Sequence, residues 1–214
     1  GIRDDVEARG LGDVYKRQLL GCDSGKVVVF YPNRLENIPK LLLFDTNVKS
    51  EDGIQSIIQV KKDNIEYWLF TNTDGWVFVY DCSNNILLDP ISVCDNEQER
   101  LGVIDAWNKY DSKMIIACRM DYDKANNQVL ISFGNKVYRM DLASDGFKVT
   151  EYNIEWNYQT PRLIKDIKVT QSYIFINEID AISVIRNGIK TWEFVINQDK
   201  RLADRELFLR NFFK

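Results

Sequence analysis

The sequence predicts an all-β protein in which small antiparallel sheets repeat along the chain. The first observation is the segment 66–81 (EYWLFTNTDGWVFVYD), in which two runs of strand-favouring residues flank the turn residues 73–75. The second is that weaker copies of this hairpin recur, with turns at 23–25, 134–135 and 179–180. The third is the spacing of these turns, about 50, 60 and 45 residues, which accommodates four short strands per repeat.

Four such units follow one another along the chain. They span residues 19–44, 54–93, 101–153 and 163–196. In the second unit Pro90 lies within the fourth strand, which indicates an outer edge where a missing N–H is tolerated. In the third unit residues 101–110 fit either a strand or a helical turn, and a strand is expected over 113–120. In the fourth unit Asn-Gly at 187–188 is the strongest short hairpin signal in the chain.

The two ends of the chain differ from the repeats. Residues 1–18 show neither strand nor helix periodicity, and their end (DVYKRQ) resembles a translated sequencing adapter. We therefore treat residues 1–18 as a non-native or flexible lead. In residues 199–214, Leu202, Leu209 and Phe213 lie near one helical face, which predicts a short C-terminal helix or the start of a further unit.

Composition excludes several classes of function. Of the 214 residues 45% are hydrophobic and 28% charged, which is typical of a folded protein. The net charge of −4 argues against a nucleic-acid partner held by phosphate contacts. Histidine is absent, which removes Ser-His-Asp triads, Cys-His pairs and His-ligated zinc. No apolar run approaches the ~20 residues that a membrane span needs.

The cysteines bear on the cellular compartment. Four are present: Cys22, Cys82, Cys94 and Cys118. None forms a C-x-x-C pair, and their spacings match no zinc module. Widely separated cysteines fit buried, reduced thiols, so we expect an intracellular, cytoplasmic protein.

Turns and strand endings together resemble the WD40-like and quinoprotein-like β-propeller superfamily. Gly-containing turns at 23–25 (DSG) and 73–75 (TDG) precede apolar strands, and the pairs at 80–81 (YD) and 140–141 (MD) stand where that superfamily has Trp-Asp. The resemblance covers residues 19–198 and implies blades of four antiparallel strands. The Gly-His dipeptide and the Asp-His-Ser/Thr-Trp network of WD40 repeats are absent. We therefore expect apolar packing between sheets to hold the blades together.

The number of units predicts a partial β-propeller of about three to four blades. Seven blades need about 300 residues, whereas this chain supplies one partial blade and about three full ones. An open arc or a fragment is expected, because an uncapped repeat array exposes a sheet face. A closed four-bladed ring and a β-sandwich with the same strand count are the alternatives.

No catalytic, cofactor-binding or metal site is predicted. Residues 121–127 begin like a calcium loop, but Asn126 stands where glycine is required and position twelve is not Glu. Residues 71–76 (TNTDGW) are similar to the Asp-box turn of sialidase propellers, but Thr73 replaces the expected acid. We expect a solvated loop and a plain hairpin turn at these places.

A candidate protein-interaction surface consists of Trp107, Trp156, Tyr158 and Arg162, which lie in or beside connections between units. Such connections line one face of a propeller, and Trp, Tyr and Arg are enriched at protein interfaces. The same residues could instead cover blade edges.

The predicted function is a non-catalytic scaffold that binds other proteins or belongs to a larger complex. One alternative is an enzyme or small-ligand-binding propeller whose central-channel site is completed by missing blades. Another is a purely structural segment of a large complex.

Overall fold

The computed structural model describes residues 18–21, 27–30, 40–42, 53–84, 86–111, 116–143, 145–156 and 162–195. These residues contain sixteen strands and one α-helix, and the strands form four antiparallel sheets, numbered 1 to 4 in chain order. The predicted lead, the turn at 23–25 and the predicted C-terminal helix over 199–214 lie outside the described residues.

Sheets 1 and 2 come first in the chain. Sheet 1 consists of β1 (Gln18–Gly21), β2 (Val27–Phe30) and β3 (Lys40–Leu42). Sheet 2 consists of β4 (Ile54–Lys62), β5 (Ile65–Asn72), β6 (Trp76–Asp81), β7 (Ile86–Leu87) and β8 (Ile91–Ser92). Both β7 and β8 pair with β6, so they are two pieces of one outer strand. Pro90 lies between them, and its missing N–H accounts for the break at this edge.

Sheets 3 and 4 each have four strands in chain order. Sheet 3 consists of β9 (Cys118–Asp123), β10 (Gln128–Phe133), β11 (Lys136–Asp141) and β12 (Val149–Glu151). Sheet 4 consists of β13 (Ile164–Val169), β14 (Ile174–Glu178), β15 (Ala181–Arg186) and β16 (Ile189–Val195). The strand expected over 113–120 is displaced toward the C-terminus, because β9 pairs with all six residues of β10 and therefore extends to Asp123.

The Asn-Gly turn of the fourth unit has the predicted geometry. Asn187 has φ +52° and Gly188 has φ +77°, the left-handed pair that a two-residue hairpin turn requires. The turn joins β15 to β16, and the two strands pair in register from Arg186 and Ile189 up to a bulge at 184–185.

Residues 101–110 form neither a strand nor a single turn, but belong to the helix α1 (Glu97–Asp111) between sheets 2 and 3. The side-chain oxygen of Asn96 accepts the backbone N–H of Glu99 at 2.9 Å, which caps the helix. Glu97 and Glu99 in the first turn and Lys109 in the last complement the helix dipole. No helix among the described residues is long and apolar enough to cross a membrane.

Successive sheets stack face to face through three apolar clusters. Side chains alternate across each strand, so Leu69 packs in the cluster between sheets 2 and 3 while Phe70 packs with Val27 of sheet 1. In sheet 3, Val129 likewise contributes to the cluster with sheet 2, and Leu130 to the cluster with sheet 4. Central strands are thus covered on both faces. Four stacked layers differ from the two layers of a sandwich and form the predicted partial β-propeller.

Side-chain hydrogen bonds add to this apolar packing between sheets. The Thr71 hydroxyl in sheet 2 donates to the Cys118 carbonyl in sheet 3 at 2.6 Å. The Asp121 carboxylate in sheet 3 accepts the Val169 backbone N–H of sheet 4 at 2.7 Å. Side-chain hydrogen bonds therefore supplement the expected apolar packing between the sheets.

Candidate functional site

Helix α1 packs one face on the stacked sheets. Val103 and Ile104 contact the apolar cluster between sheets 2 and 3, and Trp107 on the same face is only 1% exposed. The Arg100 guanidinium lies 5.5 Å from the ring centroid of Trp76 in sheet 2. These four positions follow the i, i+3, i+4, i+7 spacing of one helical face.

The helix is tied to sheet 3 by a polar cluster. The Lys136 ammonium lies 2.7 Å from the Glu99 carboxylate of α1 and 2.9 Å from the Glu151 carboxylate. The Tyr138 hydroxyl donates to Glu99 at 3.3 Å. The hydrogen bond from Lys136 holds the pKa of Glu99 below its ordinary value, and the bond to Glu99 raises the pKa of Lys136. Burial raises the pKa of Tyr138, so its phenol remains a donor.

Close approach of α1 to the β10–β11 turn depends on Gly134. Its φ is +66°, and a Cβ atom added there would lie 2.8 Å from Cγ2 of Val103. Any larger residue would push the helix off the turn.

A groove of about 330 Å³ runs between α1 and this turn. It is lined by Glu99, Gly102, Val103, Ala106, Gly134, Asn135, Lys136 and Leu163. Beyond the groove, α1 carries two large apolar side chains that are substantially exposed, Leu101 at 47% and Tyr110 at 46%. The same helix therefore offers small groove residues, an ion pair and two exposed apolar side chains.

Arg162, which precedes β13, contacts three carboxylates of sheet 4. Its Nε lies 2.9 Å from Asp180, and its Nη1 lies 2.5 Å from Glu193 and 3.8 Å from Glu178. The hydrogen bond to Glu193 raises the pKa of Arg162 further above its ordinary value. The Glu178 carboxylate is buried, and it also accepts the Ser183 hydroxyl at 2.8 Å. An Arg–Glu–Ser cluster thus joins the connection before sheet 4 to its central hairpin.

Trp156 belongs to the same region as Arg162. The Lys190 ammonium lies 3.1 Å from Glu193 and 6.0 Å from the ring centroid of Trp156. The adjacent Glu155 pairs with β16 through backbone hydrogen bonds on either side of Ile189.

The structure therefore brings Trp156 and Arg162 together among the four candidate surface residues. Trp107 lies apart from them, buried beneath α1, and its indole N–H has no hydrogen-bond partner. Tyr158 lies outside the described residues.

Sequence reasoning missed the exposed side of α1. The signal was present as Asn96 followed three residues later by Glu99, the pattern that begins many helices. With the helix recognised, its 3.6-residue period would have placed Leu101 and Tyr110 on opposite flanks of the packed face formed by Val103, Ile104 and Trp107.

The buried Asp123 carboxylate is held by local hydrogen bonds, and the thiols of Cys94 and Cys118 are buried in the apolar cluster between sheets 2 and 3. Both oxygens of the Asp123 carboxylate accept side-chain or backbone N–H groups from Asn126 and Gln128, in a turn between β9 and β10. Burial raises the pKa of Cys118 to about 12 and also raises the pKa of Cys94. Within the described part of the chain, no three His, Cys, Asp or Glu side chains are placed to hold a metal ion.

Stacked four-stranded antiparallel sheets with strands in chain order define this chain as part of a β-propeller. No protein-family model and no curated protein matches the sequence. The structure is similar to the β-propeller domain of Cps50 (Swd1) from Myceliophteria thermophila, with a TM-score of 0.54 and 10% identity, over 88% of this chain and 57% of that one. It is also similar to Raptor from Chaetomium thermophilum, with a TM-score of 0.54 and 10% identity, over 86% of this chain and 15% of that one.

These similarities concern the fold alone, since identity is 10% in both cases. At that level they confirm the predicted β-propeller fold. The chain spans little more than half of the first structure and a small part of the second.

Proposed function

We propose that the chain is a non-catalytic scaffold module that binds other proteins through the exposed side of α1 and the adjoining groove. The observation that carries this proposal is the exposure of Leu101 and Tyr110 on a helix that is otherwise fixed by its contacts with two sheets. Tyr110 lies on the same flank of α1 as Glu99, Val103 and Ala106, so an exposed aromatic side chain stands beside the groove of about 330 Å³, while Leu101 is exposed on the opposite flank.

Rigid presentation is the physical basis of the proposed binding. Val103 and Ile104 pack on the sheets, Lys136 pairs with Glu99, and Gly134 lets the helix lie close to its turn. A helix already held in one position loses little conformational entropy on binding, so more of the contact energy contributes to affinity.

Trp156 and Arg162 form the second part of the proposed surface. The Arg162 side chain is 28% exposed despite its ion pairs, and Trp156 is half-buried beside Lys190. A partner with a carboxylate or an aromatic ring could contact both residues. Leu163, next to Arg162, lines the groove beside α1, so this second part adjoins the first.

The partners we propose are proteins, with the chain acting alone or within a larger complex. The net charge of −4 does not favour nucleic acid. We also propose an intracellular, cytoplasmic location, which the buried thiols of Cys94 and Cys118 support because neither forms a disulfide.

An affinity experiment with matched variants tests the binding surface. The full chain is used as bait in extracts of its source cells, and captured proteins are quantified by mass spectrometry. The test variant is Leu101→Ser/Tyr110→Ser on α1. The control is Ile86→Ser/Leu88→Ser in and beside the outer strand of sheet 2, where the side chains are 54% and 36% exposed.

We expect the α1 variant to lose specific partners at least about tenfold, because interface anchors contribute ~2 kcal/mol or more each. The control variant should retain them, and both variants should unfold at the temperature of the parent chain. Equal capture by all three proteins, or equal loss from both variants, would refute the proposal.

A further inference from the structure

The outer face of sheet 4 differs from every other sheet face described. Alternate residues of its strands, including Ile174, Ile176 and Ile185, pack against sheet 3. The opposite side chains define the outer face, which combines the apolar residues Phe175, Ile182, Val184, Trp192 and Phe194 with the polar residues Asp166, Lys168, Asn177 and Arg186. None of the five apolar side chains belongs to the three clusters between sheets.

Corresponding positions in the preceding sheets are covered by the next sheet. Leu69 in the second strand of sheet 2 packs in the cluster with sheet 3, and Leu130 in the second strand of sheet 3 packs in the cluster with sheet 4. Both are 0% exposed. Phe175 occupies the second strand of sheet 4 and points the same way by strand alternation. The outer face of sheet 4 therefore corresponds to faces that are buried in sheets 2 and 3.

Aromatic rings dominate the apolar part of this face. Trp192 is 45% exposed, and its ring stacks on that of Phe194 with centroids 6.1 Å apart. The rings of Phe175 and Tyr173 lie 6.3 Å apart, and Tyr173 is 38% exposed. The apolar part of this face favours an occupant that contributes aromatic or aliphatic side chains.

We propose that residues 197–214 of this chain bind to the outer face of sheet 4. They follow β16, which ends at Val195 at one margin of the sheet, after a single intervening residue. Their large apolar residues are Leu202, Leu207, Phe208, Leu209, Phe212 and Phe213. The segment therefore has enough large apolar side chains to pack against the apolar residues of the outer face.

Length and spacing fit the proposed occupant. Crossing four strands requires roughly 14 Å, since neighbouring strands are about 4.8 Å apart. Eighteen residues span roughly 27 Å even as an α-helix. Phe208 and Phe212 lie four residues apart, so they share a face whether the segment is helical or extended.

A second copy of the chain is the competing occupant, and it is less favoured. The segment 197–214 is already tethered to the sheet, so its effective concentration at the outer face is in the millimolar range. A second copy would have to displace it.

Limited trypsin digestion of the full chain tests the proposal. The segment holds the cleavage sites Lys200, Arg201, Arg205 and Arg210, and binding to the sheet would protect them. The test variant is Trp192→Ala on the outer face. The control is Tyr110→Ala on α1, an aromatic residue of nearly equal exposure at 46%.

We expect Trp192→Ala to raise the rate of cleavage in the segment by about tenfold, and Tyr110→Ala to leave it unchanged. A second variant, Phe208→Ser/Phe212→Ser, should raise hydrogen–deuterium exchange in β14 and β16 without affecting sheet 2. Equal cleavage of all proteins would overturn the proposal. So would sedimentation showing a dimer that Trp192→Ala dissociates, which would assign the outer face to a second copy.

Discussion

Replacing Arg162 with methionine tests whether its ion pairs stabilise the fold as a buried network would, or contribute as little as a surface ion pair does. The substitution keeps the length of the side chain and removes its charge. It leaves three carboxylates without their shared partner, and one of them, on Glu178, has only 1% of its side chain exposed. Arg162→Met therefore tests whether the cluster stabilises sheet 4.

The expected loss follows from burial. Removing one partner of a buried ion pair costs about 3–5 kcal/mol because the other charge is left uncompensated. Two features reduce this figure: water screens the 28% exposed Arg162, and Lys190 still lies 3.1 Å from Glu193. We expect a decrease of about 2–3 kcal/mol in the free energy of unfolding. For a chain of this size the melting temperature should fall by roughly 4–12 °C.

Urea unfolding of the full chain measures the effect, with Arg186→Met as the matched control. Arg186 is exposed on the same sheet and lies 5.6 Å from the ring centroid of Tyr173, so its loss should cost less than about 1 kcal/mol. If Arg162→Met is no more destabilising than Arg186→Met, the network does not stabilise the sheet. The contribution of Arg162 would then be limited to the proposed contact with a partner protein.

Three further predictions concern helix α1 and its attachment. Glu99 has a pKa depressed by Lys136, so the pair stabilises the fold above the ordinary Glu pKa of about 4.3 and loses this effect as pH falls through the lower folded-state value. Thermal unfolding should show Glu99→Gln less stable than the parent by about 1 kcal/mol at pH 7, with the difference vanishing in acid. Gly134→Ala should destabilise by about 2–4 kcal/mol in urea, because φ is +66° and the new methyl group would meet Val103. Gly102→Ala, on α1 with nothing within 4 Å, should instead stabilise by about 0.5–1 kcal/mol, and a loss of stability there would contradict the helix assignment.

The local parts of the fold could be predicted from sequence because short segments determine them. Asn187 and Gly188 adopt the left-handed turn that their residue types favour, and the strands on either side follow. Pro90 interrupts an outer strand because proline lacks the donor that the sheet needs. Four-strand periodicity then sufficed to predict stacked sheets.

The candidate site could not be predicted to the same extent because it depends on contacts between distant residues. Arg162 pairs with Glu193, 31 positions further along the chain, and no local pattern predicts that pairing. Trp107 has the residue type of an interface anchor, but helix geometry turns it inward and exposes Leu101 instead. A strand or a helical turn was expected over residues 101–110, because their apolar positions fit both helix and strand.

Stacking of sheet 2 on sheet 3 is the claim on which the rest depends, and a double-mutant cycle between Gly75 and Phe133 tests it directly. Gly75 lies in the β5–β6 turn with φ +76°, and a Cβ atom there would lie 2.6 Å from Cε1 of Phe133 in sheet 3. Backbone strain affects Gly75→Ala in any background, whereas the steric clash requires the phenylalanine ring. We predict that Gly75→Ala destabilises the Phe133→Leu chain less than the parent, by at least about 1 kcal/mol in urea unfolding. If the destabilisations of the two single variants add up to that of the double variant within about 0.5 kcal/mol, the result would contradict the packing of these two sheets against each other.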